Sequence, residues 1–134
     1  KHMFNMRRVS EVKPVLADEG ITDLRSFDLS MRLGWSGVAL KTCKCQSSIL
    51  LLVAKAEELE VPYSIQDLTC PGLAFVHSAG FAARTNPIMG VEYNARQYLP
   101  SAFKEVQEKF PQLFNVKDGR IRTGCLNGTI GLGF

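Results

Sequence analysis

The amino-acid sequence predicts an α+β fold: a single small domain over residues 4–134, with helices packed on a small mixed or antiparallel sheet and a C-terminal helix followed by a β-meander. Three observations carry this. A run with helical period between Ser47 and Glu60 is flanked by two short β-like runs. The pairs Asp118-Gly119 and Asn127-Gly128 punctuate the last quarter of the chain, and such pairs are strong hairpin signals because both central residues of the turn need positive φ. A length of 134 residues without repeats, low-complexity tracts or a Pro/Ser-rich linker argues for one folding unit.

Along the chain, Ser10 is suited to cap a helix running to about Glu19, with Val12, Val15 and Leu16 inward, Pro14 in its first turns and Gly20 at its end. Thr22 offers a second cap. Leu24, Phe27 and Met31 then recur at helical spacing until Gly34. Gly37 to Thr42 reads as a short strand. The clearest helix spans Ser47 or Ser48 to Glu60. Ile49, Leu52, Val53, Ala56 and Leu59 form one face, and Leu50, Leu51 and Ala54 widen it enough to predict burial on two sides of its first half. Pro62 stops this helix, Tyr63-Ser64-Ile65 reads as the next strand, and the order strand, helix, strand suggests a small βαβ-like unit. Leu73 to His77 reads as a strand and Ala79 to Asn86 as a loop. Pro100-Ser101 opens a helix to Phe110 with Phe103, Val106 and Phe110 on one face. Leu113–Val116, Arg120–Gly124 and Thr129–Phe134 then spell the meander.

Composition excludes several classes. Charged residues make up 22% and hydrophobic residues 46%, which argues against intrinsic disorder. No stretch of 18 uncharged apolar residues exists, so no membrane partner is expected. Lys1-His2-Met3 reads as a cloning junction; without Lys1 the formal charge of +3 falls by one, a balance that neither demands nor excludes a nucleic-acid partner. Arg7-Arg8 is not followed by an apolar run, so no signal peptide is expected, and the four cysteines read as reduced thiols of an intracellular protein.

The candidate chemistry lies in a few residues. Cys43 and Cys45 flank Lys44, with Lys41 close by, and neighbouring cations lower a thiol pKa. Together with Cys70 and Cys125 they form the only set that would hold a metal. One intervening residue is a poor chelate spacing for zinc, however, and no cofactor is expected. Cys70 and His77 are the candidate nucleophile and base of a thiol enzyme; incidental core roles are the competing reading. No phosphate loop, dinucleotide fingerprint or nucleophile elbow is present. Trp35, between Gly34 and Gly37, is either an exposed anchor for a protein partner or a buried residue closing the core.

The helix at 101–110 followed by Leu113-Phe114-Asn115-Val116-Lys117-Asp118-Gly119-Arg120-Ile121-Arg122 resembles the last helix and wing of winged-helix domains over about 25 residues. The resemblance implies that Lys104 and Lys109 on the helix, and Lys117, Arg120 and Arg122 on the wing, contact the phosphates of RNA or DNA. Residues 54–67, with the glycine-rich C-terminus, look like class-II peptidyl-tRNA hydrolases. That family's N-terminal lysine and histidine motif is missing, and a long insertion would follow Asp67, so no catalytic residue carries over. The reading that results is a non-catalytic binding module leaning toward nucleic acid. The alternatives are a small thiol- or metal-dependent enzyme built on Cys43, Cys45, Cys70 and His77, and a module that binds another protein or itself, through Trp35 or the open edge of the meander.

Overall fold

The computed structural model describes residues 4–66 and 69–130. Its first half is built from alternating strands and helices: α1 (Arg7–Val12), β1 (Leu16–Ala17), α2 (Leu24–Arg32), β2 (Gly37–Lys41), α3 (Gln46–Glu58) and β3 (Tyr63–Gln66). The strands lie in the order β1-β2-β3 and every pair is parallel. The sheet is therefore neither mixed nor antiparallel, which corrects the expectation from sequence. The connections explain the difference. A parallel pair needs a crossover long enough to return the chain to the same end, and α2 and α3 supply the two crossovers.

Local chemistry sets each boundary. Pro14 closes the first helix early, and residues 16–17, expected inside it, form β1. Asp23 rather than Thr22 caps α2. The Ser26 amide donates to Asp23 Oδ1 at 2.7 Å, and the Asp23 amide donates to Ser26 Oγ at 2.9 Å. These bonds favour the ionised form and hold the Asp23 carboxyl below its usual range. Helix α3 buries Ile49, Leu52, Val53 and Ala56 as its period predicts. Leu50 and Leu51 remain 51% and 57% exposed, so the helix is covered on one side only.

The second half is helical: α4 (Leu73–Ala82), α5 (Ala95–Tyr98), a 3₁₀ turn at Pro100–Phe103, α6 (Lys104–Lys109), α7 (Pro111–Phe114) and a 3₁₀ turn at Gly124–Leu126. The strand expected at 73–77 is the first half of α4. The β-meander is absent: Leu113 and Phe114 belong to α7, which Pro111 opens at a position where its missing N–H costs nothing. The Asp118-Gly119 turn does form, with φ of 52° and 71°, but it closes a single antiparallel bridge between Lys117 and Arg120. The cloning junction at 1–3, Asp67, and most of the last expected strand, 131–134, lie outside the described residues.

Two apolar clusters hold these elements. The first joins Phe27, Val38, Leu40, Leu52, Tyr63 and Ile65 between the sheet and α2 and α3, with Trp35 half-buried against it. The second gathers Phe75, Val76, Phe103, Leu113, Phe114 and Leu126. Helix α4 links them: Phe75, Val76 and Ala79 enter the second cluster, while Phe81 and Ala82 pack on the first. Among the described residues no helix is long and apolar enough to cross a membrane.

Candidate functional site on the polar face of the sheet

The strand register sorts the sheet into two unlike faces. Ala17 pairs with Val38, Val38 with Tyr63, and Leu40 with Ile65; all five belong to the first apolar cluster. Side chains alternate along a strand, so the opposite face carries Leu16, Gly37, Ala39, Lys41, Ser64 and Gln66, with Ala39 paired to Ser64 and Lys41 to Gln66. Parallel sheets are ordinarily apolar on both faces. Here the second face is small and polar, yet Ala39, Lys41 and Ser64 are all 4% exposed or less.

Lys41 ends β2 and dominates this face. Its ammonium pairs with Asp18, which follows β1 directly, and lies 3.1 Å from Glu19 Oε1. Lys44 reaches the same Glu19 carboxylate at 3.7 Å through Oε2. Asp18 and Glu19 remain 45% and 69% exposed. Burial pushes the Lys41 amine below its ordinary range and the charge of Lys44 adds to the effect, while Glu92 opposes it. Ser64 is fully buried, and its Oγ has no hydrogen-bond partner among the described residues. Beside Lys41, Thr42 and Ser78 share a buried hydroxyl–hydroxyl hydrogen bond of 2.6 Å that ties the end of β2 to α4.

These groups gather where the three parallel strands end: Asp18 and Glu19 after β1, Lys41 and Thr42 at the end of β2, Gln66 at the end of β3. The carboxyl ends of parallel strands are where open α/β sheets bind ligands. A buried amine displaced from its usual range, with carboxylates in contact, is the kind of group that such sites use for proton transfer. Among the described residues no three His, Cys, Asp or Glu side chains are placed to hold a metal ion.

The residues singled out from sequence fall elsewhere. Cys43 and Cys45 are exposed on the connection from β2 to α3, Cys70 and Cys125 are half-buried in other segments, and all four are free thiols. The amide and hydroxyl of Ser48 and the amide of Ser47 favour the Cys45 thiolate and lower its pKa. His77 lies on α4 with a buried Nε2 that has no hydrogen-bond partner among the described residues, so Nε2 makes no bond to the Cys70 thiol. Lys104 and Lys109 are exposed on α6, away from a wing that does not form. Lys117, Arg120 and Arg122 do come together, around one surface concavity with Gln112 and Asn115. Sequence reasoning missed Asp18, Glu19, Lys41 and Ser64 as a group. The available signal was Lys41 closing the apolar run Val38-Ala39-Leu40, and it was legible only as a charge near the cysteines.

Fold and site together define a parallel α/β protein whose sheet carries a buried polar face at the carboxyl ends of its strands. Comparison with protein-family models, curated proteins and solved structures gives no match.

Proposed function

We propose that the carboxyl edge of the sheet is a small-molecule site in which the Lys41 ε-amine exchanges a proton with the bound molecule. The observation that carries this reading is the burial of Lys41 on a polar sheet face, in contact with Asp18 and Glu19. A downward shift enlarges the neutral fraction that accepts a proton, and the two carboxylates stabilise the ammonium that results. Ser64 Oγ and Gln66 supply hydrogen-bonding groups on the same face. The substrate class that fits is a small polar molecule, since the face is built from Gly, Ala and Ser and leaves no apolar wall for a larger body. The test is a screen of small polar metabolites by amide chemical-shift perturbation, with Lys41→Met as the comparison. The expected result is a ligand that shifts the amides at 39–42 and 64–66 and fails to bind the variant. Binding unaffected by the substitution would overturn the proposal.

The concavity at Lys117, Arg120 and Arg122 supports a second reading, a surface for nucleic-acid phosphates. Three cations converge on it with Asp118 as the one carboxylate in its lining. Every cation withdrawn from a phosphate lowers the salt dependence of binding by about one unit of slope. Arg120→Glu with Arg122→Glu is therefore expected to weaken single- and double-stranded RNA and DNA in fluorescence anisotropy and to flatten the salt dependence. Binding that keeps its strength and slope would remove this reading.

A further inference from the structure

A second site lies away from the sheet edge, where α4 meets the start of α3 and the 3₁₀ turn at Gly124–Leu126. A cavity of about 380 Å³ opens there, its walls including Leu50, Val76, Phe81, Leu126 and Ile130, with His77 on α4 beside them. The walls contain no carboxylate. Its one cation, Arg84, is committed to the backbone: the guanidinium donates to the Gly80 carbonyl at 2.9 Å and to the Leu126 carbonyl at 2.6 Å. The His77 ring is held edge-on to Phe81, with centroids 6.4 Å apart. Its Nε2 is buried without a hydrogen-bond partner among the described residues. A buried polar atom without a partner costs on the order of 1–3 kcal/mol, and a ligand that supplies the bond recovers part of that. Burial also pushes the imidazole pKa down, so the ring meets its ligand neutral.

We propose that this cavity binds a small neutral molecule with an apolar body and a single hydroxyl, the apolar part lying against Val76, Phe81 and Leu126 and the hydroxyl hydrogen-bonding to His77 Nε2. The cavity suits a molecule of about the size of a substituted phenol. Charged ligands are disfavoured because no group in the walls is free to pair with an anion and none carries the opposite charge for a cation.

The test is a titration of the protein with p-cresol, toluene and benzoate, read by the ¹⁵N and ¹H shifts of the His77 imidazole. One hydrogen bond of typical net strength corresponds to about five- to tenfold in affinity. The expected result is a saturable shift at His77 with p-cresol, with toluene binding about five- to tenfold more weakly and benzoate more weakly than p-cresol. His77→Leu is expected to bring p-cresol and toluene to equal affinity. Leu50→Trp, at a half-exposed rim position that the fold does not depend on, is expected to block both. The proposal is overturned if His77 does not respond saturably, if p-cresol and toluene bind alike to the unsubstituted chain, if benzoate binds best, or if Leu50→Trp leaves binding unchanged.

Discussion

The Thr42 and Ser78 hydroxyls meet at 2.6 Å in a buried contact between the end of β2 and the middle of α4. Ser78 also donates to the Ala74 carbonyl at 3.0 Å, so its proton is committed there and Thr42 is the donor in the pair. This contact holds the helix that links the two apolar clusters against the strand that carries Lys41. Thr42→Val keeps the shape and removes the donor, leaving one lone pair of Ser78 without its partner. The expected destabilisation is about 1–2 kcal/mol in urea denaturation. Ser78→Ala removes the other half, and the double variant is expected to be destabilised by less than the sum of the two, because both report on one bond. Strict additivity would show that the two hydroxyls do not act as a pair.

The unit β2-α3-β3 was legible because each piece obeys a simple period: a short β-like run, Ile49-Leu52-Val53-Ala56 at helical spacing, then Pro62 and another β-like run. Helix α4 was not legible for the opposite reason. Leu73-Ala74-Phe75-Val76 and Ala79-Gly80-Phe81-Ala82 place apolar residues all round, which removes the helical period and mimics a strand followed by a loop. Such a helix is one buried between layers, and here it is shared by both clusters. The C-terminal turn shows a local rule obeyed without its expected context. Asp118-Gly119 adopts the positive φ that the pair favours, but the residue before Lys117 is the half-exposed Val116, and the flanks have no face to bury as strands. The candidate site was hidden for a different reason. Lys41, Ser64 and Asp18 are far apart in sequence, and only the parallel register places them on one face.

Gly37 tests how tightly that register is set. A Cβ at this position would lie 2.2 Å from the Pro62 carbonyl oxygen and 2.7 Å from Leu16 Cδ2. Val38 donates its amide to the same Pro62 carbonyl at 3.1 Å, so the obstacle is backbone that is already engaged. Gly37→Ala is expected to loosen the start of the β2–β3 pairing and to destabilise the fold by more than about 1–3 kcal/mol, the usual cost of overpacking a core with flexible neighbours. Gly90→Ala makes a useful comparison: its added Cβ meets nothing within 4 Å, and only its φ of 69° opposes the change. Equal destabilisation by the two would contradict the close approach at Pro62.

The second cluster depends on aromatic packing. Phe75 stacks on Tyr93 with centroids 3.9 Å apart, and Phe103 meets both Phe75 and Phe114 edge-on at 6.5 and 5.6 Å. Phe103 is fully buried and comes from the 3₁₀ turn that precedes α6. Phe103→Ala is expected to cost about 3–5 kcal/mol. Phe103→Leu keeps most of the volume and should cost much less. Similar midpoints for the two variants in guanidinium would show that the cluster collapses around the missing ring.

Lys41 gives the sharpest prediction about pH. Its amine is depressed by burial and by Lys44, so the folded protein releases this proton at a lower pH than the unfolded chain does. Between the folded value and the ordinary value of 10.5 the unfolded state binds more protons, and stability rises with pH across that window. Tyr63 works in the opposite direction. Burial and its hydrogen bond to Glu57 raise its pKa, so its contribution is present below 10.0 and is lost as pH rises through the folded value. The two effects separate by comparing the protein with Lys41→Met, which keeps Tyr63. Urea denaturation from pH 8 to 10 is expected to show the unsubstituted protein gaining stability relative to the variant at each step. A difference that stays flat or shrinks over this range would mean that Asp18 and Glu19 outweigh burial and hold the amine charged. The proton-exchange role proposed for Lys41 would then lose its physical basis.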